Sequence, residues 1–471
     1  MSGSIFALAI DPLIRRILAV SVLHSIRITA FADDIAIVIA NVFLQLPGII
    51  RLFIFWEGAT ALKLNSKKTA FLPLWLSFDE AMLRRWLRHT VPAIASCMIG
   101  NFAKYLGLML GPGAADHQWT PVASKVLVRA ADANFAASGV AAKMRHFRIH
   151  GTSTVLYKAQ FAMLSPSMKQ AYRKAEQRLT GSPWMALPPD LLHSLRGLGL
   201  PAELPDIDTL AIAAQLWVTA SSATLWASID CIEEALASDE VLLHSPLTDW
   251  HDRTILFYLR RVWNIHSQLD PIMTIFRTKP KQTHQSYIYK HLMASCGTLS
   301  GKQVLFRRLL TVGFTADTVE AALATLCTVF ASNCLPSAKY ALLRTVCNAW
   351  NTSARFHQPV ACCLFGCPSP AEDRMSHYIL CPRMAPPALS LLGFRIPLVE
   401  HAPLPWLFSL LRQPILRLWT LILIDAIFIS FNVAKFGASA AAPLVFAGRV
   451  KDTAKRLPAR TSMALPWPEG S

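Results

Sequence analysis

Ile26-Arg27-Ile28-Thr29-Ala30-Phe31-Ala32-Asp33-Asp34-Ile35-Ala36-Ile37-Val38-Ile39 carries the sharpest chemical signal in this chain. Apolar and polar residues alternate through Ile26–Thr29, the period of a half-buried strand. Two carboxylates interrupt the apolar character, which resumes at Ile35. Strand-like segments on both sides of a short acidic break read as a β-hairpin with Asp33 and Asp34 at its tip. Asp favours turns for local reasons, so a paired Asp alone is an ordinary surface turn. Strands that anchor the turn change that reading, because they hold two hard oxygen donors where a divalent cation such as magnesium can meet them.

Before the hairpin, Ser2-Gly3-Ser4-Ile5-Phe6 enters an apolar helix that includes Asp11 and Pro12. After it, Leu62-Lys63-Leu64-Asn65-Ser66-Lys67-Lys68-Thr69 reads as a turn leading into a strand over Ala70–Leu74. Apolar spacing is helical from Phe78 to Lys104, and Tyr105–Leu110 reads as extended, stopping at Gly111-Pro112-Gly113. From Trp119 to about Phe356 the pattern is mostly helical, cut by Ser182-Pro183, Pro188-Pro189, Pro201 and Pro205. Residues 402–447 again look helical, and from Lys451 the chain reads as a basic disordered tail. No repeat of fixed period is present.

Composition narrows the class. The 471 residues contain 46 Lys plus Arg against 29 Asp plus Glu, a net charge of +17, which suggests a polyanionic partner. Hydrophobic residues make up 53% and charged residues 16%, which excludes a disordered polar-tract protein. Ten Cys in this length are too sparse for a disulfide scaffold. The opening residues lack the pattern of a secretory signal, so an intracellular protein is expected, not a secreted one. Leu418–Ala434 is the best candidate membrane span, but its seventeen residues are at the short limit and include Asp425 and Asn432. A buried or amphipathic helix is the expectation, with no membrane partner.

A second constellation is Cys363-x3-Cys367-x9-His377-x3-Cys381. Three thiolates and an imidazole at these spacings suit tetrahedral zinc, with the first pair on a turn near Pro368 and Pro370 and the second at one end of a helix over Asp373–Leu380. Cys362 could replace Cys363, and the spacing leaves that choice open. Buried reduced cysteines are the plainer alternative. In the middle of the chain, Ser165-Pro166 starts a helix carrying Lys169, Arg173, Lys174 and Arg178 at spacings that gather charge on one side. Lys125, Arg129, Lys143, Arg145 and Arg148 extend this pattern upstream. Such helices can follow phosphates, although an ordinary solvated face has the same composition. His146 and His150 lack the Glu of a zinc-protease helix, and Gly297-x3-Gly301-Lys302-Gln303 misses a phosphate loop by one residue.

Taken in order, the motifs resemble those of reverse transcriptases from non-LTR (LINE-type) retrotransposons. Phe31-Ala32-Asp33-Asp34 resembles the catalytic hairpin, and Ser2-Gly3 followed by an apolar helix resembles the end of the motif before it. Leu62–Thr69 resembles the motif after it, and Tyr105-Leu106-Gly107 the primer grip. The Cys-Cys-His-Cys segment resembles the zinc segment found downstream of that polymerase. The resemblance implies Asp33 as a metal-binding catalytic carboxylate, Asp34 as its neighbour, and Lys68 near the incoming triphosphate. It also implies Ser2, Gly3, Phe31, Tyr105, Leu106 and Gly107 at the substrate and primer. Mg2+ or Mn2+ at the palm and Zn2+ at Cys363, Cys367, His377 and Cys381 are the implied cofactors. RNA template, DNA primer and dNTP are the implied partners, and the nucleus the implied location.

The expected fold class is α+β: a partial palm over 1–115, a helical thumb over 116–200 and a helical connection over 201–354. A zinc segment over 355–385, a helical region over 386–450 and a tail over 451–471 complete it. A polymerase of this family has a further palm Asp on an earlier strand, before the Ser-Gly motif. The chain begins at that motif, so a truncated polymerase, inactive alone, is expected. Asp11 cannot substitute, because it falls within a helix. The competing reading is a nucleic-acid-binding remnant without catalysis. Neither an upstream endonuclease nor a convincing nuclease cluster after the zinc segment is found.

Overall fold

In the computed structural model, residues 3–20, 26–31, 34–74, 78–137, 139–182, 186–219, 270–295, 300–358, 362–367, 372–384, 403–437 and 448 are described. Ser2, Asp33, the Gly297 loop, Pro368, Pro370 and the 451–471 tail lie outside these residues. The described residues are mostly helical with small two-stranded sheets, an α+β composition. The chain divides into two compact units, Met1–Pro121 and Val122–Ser471.

The first unit begins with α1 (Gly3–Val20), followed by the strands β1 (Ile26–Phe31) and β2 (Asp34–Ile39). The two strands pair antiparallel in register from Ile26↔Ile39 to Phe31↔Asp34. Alternation puts Ile26, Ile28, Ile35, Ile37 and Ile39 on one face, packed on Ile10, Leu13 and Ile17 of α1. Each such side chain, fully buried, contributes about 1.5–3 kcal/mol. Arg27, Thr29, Phe31, Asp34 and Val38 occupy the opposite face. Among the described residues the hairpin has no third strand.

Asn41 then starts α2 (Val42–Thr60): its side-chain oxygen accepts from the Leu44 N–H at 3.2 Å, and Gln45 reaches back to the Asn41 N–H at 3.1 Å. Val42, Leu46 and Ile50 of α2 form a core with Leu83 and Leu87 of α3 (Glu80–Thr90). The helical spacing seen from Phe78 to Lys104 ends at Thr90, because a residue before proline disfavours the helical region and Val91 precedes Pro92. A short 3-10 turn over Pro92–Ile94 follows, and then the strand Met98–Ile99. β3 (Ala70–Phe71) pairs parallel with β4 (Met98–Ile99), and Pro73, with no N–H to give, follows the short β3.

Tyr105–Leu110, read as one extended run, is a tight hairpin of β5 (Ala103–Tyr105) and β6 (Leu108–Leu110). Its two loop residues both have positive φ, 47° at Leu106 and 86° at Gly107. Such a turn matches the twist of its strands and suits glycine at its second position. Leucine at the first is uncommon, because a side chain there meets its own carbonyl. The unit closes with the short α4 (Ala114–His117).

The helices α5 (Thr120–Ala136), α6 (Val140–Phe147), α7 (Ser153–Ala159) and α8 (Pro166–Thr180) come next. A π-type turn over Arg148–Thr152 joins α6 to α7, and Gly151 lies so close to the Phe147 ring that an added Cβ would sit 2.4 Å from it. Ser165 caps α8 with Pro166 in the first turn, as the sequence predicts, and Gly181 takes the left-handed region after it. Then follow α9 (Pro189–Leu192), α10 (Ile207–Thr219), α11 (Asp270–Thr278), α12 (His284–Ser295), α13 (Gly301–Thr311), α14 (Ala316–Ala331) and α15 (Pro336–Val346). Glu176 of α8, 3% exposed, meets His193 at 2.9 Å, and Asp206 stands 3.7 Å from the other ring nitrogen. The end of the second unit contains α16 (Met375–Leu380), α17 (Pro403–Arg412) and α18 (Pro414–Phe436).

The apolar run at 418–434 thus extends through 414–436. By length and composition, α2 and Leu416–Phe436 could each cross a membrane. Leu416–Phe436 is 67% buried among other parts of the protein and α2 is 28% buried, so only the former has the surroundings of a core helix.

Candidate metal centre and the face of the acidic hairpin

Cys363, Cys367, His377 and Cys381 converge so that their donor atoms all lie within 4.8 Å of one another. A bridge between Cys362 and Glu372 closes the loop that contains the first pair. The Gly366 N–H bonds the Cys363 carbonyl at 3.0 Å, which turns the chain back to Cys367. α16 presents His377 and ends at Cys381. Cys363 and Cys381 Sγ are 3.8 Å apart, and Cys367 Sγ is 3.4 Å from His377 Nε2. A tetrahedral zinc with Zn–S of about 2.3 Å and Zn–N of about 2.0–2.1 Å needs edges of roughly 3.8 Å and 3.5 Å, so this donor set fits the ion. Cys363 is buried and Cys362 exposed, which resolves the choice between them for Cys363.

The electrostatics agree with a thiolate site. A hydrogen bond from Cys381 holds the Cys363 thiol well below its ordinary range against the effect of burial. The same bond, with burial, pushes Cys381 up. A bound cation would take both as thiolates, with release of their protons.

Beside the ligands lies a polar group that spacing did not reveal. Asp373 is fully buried and accepts from the Tyr378 hydroxyl at 2.7 Å and from the Ser353 N–H and hydroxyl at 2.8 and 2.9 Å. Lys435 of α18 reaches it at 3.2 Å. Burial raises the Asp373 carboxyl, and these hydrogen bonds outweigh burial and hold it low. In the sequence Asp373 reads only as the first residue of a helix, which instead begins at Met375. Two of its three partners lie 20 and 62 positions away in the chain, a separation that no local pattern encodes.

On the outer face of the hairpin, Phe31 is 67% exposed beside Asp34, also exposed. The Tyr105 hydroxyl donates to the Thr29 carbonyl at 3.4 Å. Burial raises its pKa, and the negative charge of Asp34 raises it further. Phe31, Asp34 and the Tyr105-Leu106-Gly107 turn are therefore brought together. Lys68 lies exposed on a turn whose N–H bonds Asn65, and among the described residues it forms no ion pair with Asp34. Asp34 is the one described carboxylate of the acidic pair, and the described residues do not assemble a magnesium site around it. Gly3 lies in α1, and Asp11 in the same helix pairs with Arg15 at 2.7 Å.

Among the described basic residues of the second unit, some are exposed and others are held in ion pairs. Arg173, Lys174 and Arg178 are exposed on α8, and Lys125 is exposed on α5. Lys169 is held by Asp208 at 2.6 Å and Arg129 by Asp132 at 3.5 Å. Compared with models of known protein families the chain matches none, and no curated protein matches it.

Proposed function

We propose that this chain is the part of a non-LTR retroelement reverse transcriptase that contains the catalytic hairpin, the primer-supporting turn, a helical thumb and a zinc-held segment. What supports the reading is the meeting of Tyr105 with the strand that leads to the acidic tip, at a turn strained by Leu106. Two motifs about 75 residues apart in sequence share one small surface, and backbone strain of this kind concentrates where a chain grips a ligand. In this reading Asp33 and Asp34 offer oxygen ligands to Mg2+, which would align a primer 3′-hydroxyl with a dNTP. The exposed cations of α8 follow the phosphates, and the zinc segment contacts nucleic acid.

A second reading is a nucleic-acid-binding remnant without catalysis. It is favoured by Asp11, which lies in α1 paired to Arg15, leaving the hairpin without a second acidic strand among the described residues. One experiment separates the two. The 471-residue protein is given an RNA template, a DNA primer, dNTP and Mg2+, beside an Asp33→Ala control. The expected outcome is hybrid binding that weakens with salt and no incorporation above the control. Incorporation abolished by Asp33→Ala would establish a working polymerase, and no hybrid binding at low salt would end both readings.

A further inference from the structure

The segments with the metal ligands, 362–367 and 372–384, also include the residues that pack against α18. Tyr378 packs on Phe431 of α18 at 4.9 Å between ring centres and stacks on Trp350 at 6.1 Å, and Trp350 meets Phe428 and Phe431 at 5.2 and 5.0 Å. Asp373 binds Tyr378 and Lys435 at once. α16, which places Tyr378, is six residues long, too short to persist in water without an external constraint. Two of the four metal donors, His377 and Cys381, are on α16 or at its end.

We propose that Asp373 is the positioning residue of this centre and couples it to α18: a bound metal fixes α16, and α16 with Asp373 then holds the C-terminal half of α18 through Phe431 and Lys435. The inference rests on the metal reading of Cys363, Cys367, His377 and Cys381. Its consequence is reciprocal, since a metal that tightens the docking of α18 must itself be bound more tightly when α18 is docked. Release of this half of α18 would expose Phe431 and Ala434, which are buried in the docked arrangement.

The test uses the full chain with Co2+ or Zn2+ and needs no catalytic readout. Amide exchange is followed across residues 428–436, with α8 as an internal control, in loaded and chelator-stripped protein. Stripping is expected to speed exchange at 428–436 by about tenfold or more and to leave α8 within about twofold. Lys435→Met, at a quarter-exposed position near the helix end, is expected to speed exchange at 428–436 in loaded protein. By reciprocity it is expected to weaken Co2+ binding by a similar factor, and Asp373→Asn to weaken it further. Should Asp373→Asn fail to fold, Lys435→Met carries the test. Unchanged exchange after stripping, or unchanged Co2+ affinity in Lys435→Met, overturns the coupling while leaving the metal site intact. Absence of thiolate–Co2+ absorption in the wild-type protein instead overturns the metal reading itself.

Discussion

Replacing Cys363 by Ser and, separately, Cys362 by Ser distinguishes two adjacent residues that spacing treats alike. The Cys363 sulfur lies 3.8 Å from Cys381 and is buried, whereas Cys362 is exposed in a backbone bridge to Glu372. Structural zinc in small sites binds with about 10–16 kcal/mol, so one ligand of four accounts for about 2.5–4 kcal/mol. At about 1.4 kcal/mol per decade this is roughly a sixty- to seven-hundredfold loss of affinity. Competition with a chromophoric chelator measures it directly, and the charge-transfer band of the Co2+ form reports the number of thiolates. Cys363→Ser is expected to lose affinity on that scale together with one third of the thiolate band. Cys362→Ser should stay within about twofold of wild type, since an exposed residue away from the cluster contributes little. Equal losses in both variants, or wild-type binding by Cys363→Ser, would falsify the assignment.

Three other outcomes are expected. For Glu176 and His193 the folded pKa lies above the unfolded one: burial dominates for Glu176, while for His193 burial is outweighed by Glu176 and Asp206. Glu176's contribution is therefore complete below its ordinary value of 4.5 and lost as pH rises past it, and His193's is complete below 6.5 and lost as pH rises past that, at up to about 1.4 kcal/mol per pH unit for each group. Urea melts from pH 6 to 9 should show that slope, flattened in Glu176→Gln. The double change Lys174→Ala, Arg178→Ala should weaken hybrid binding across sequences and reduce the log–log salt slope by up to about 1.8, whereas Lys169→Ala, already paired with Asp208, should change it less. Finally, Leu106→Asn should stabilise the first unit by about 1 kcal/mol in denaturant melts, because Asn tolerates positive φ better. A destabilised variant would show that the leucine side chain is worth more than the strain it imposes.

Elements with a dense local code were legible in the sequence. Alternation over Ile26–Ile39 specifies a hairpin and its inner face, because a strand's side chains must alternate. Ser165-Pro166 starts α8, because capping chemistry acts within a few residues. The Cys-Cys-His-Cys spacing placed four donors on a turn and a helix end, and these converge. By contrast, Phe78–Lys104 misled, since apolar spacing persisted where Val91-Pro92 had already ended the helix.

What only the tertiary structure decided are the relations between distant segments. Cys362 and Cys363 are equal in spacing and differ in burial, which depends on what packs over them. Lys169 and Arg173 read alike as free cations until Asp208, on another helix, claims the first. Asp373 reads as the first residue of a helix and is the buried partner of Ser353, Tyr378 and Lys435. Residue type and spacing set local geometry through bonds and sterics over a few residues. Burial and charge pairing belong to the packed chain, and they separate residues that the sequence alone presents as equivalent.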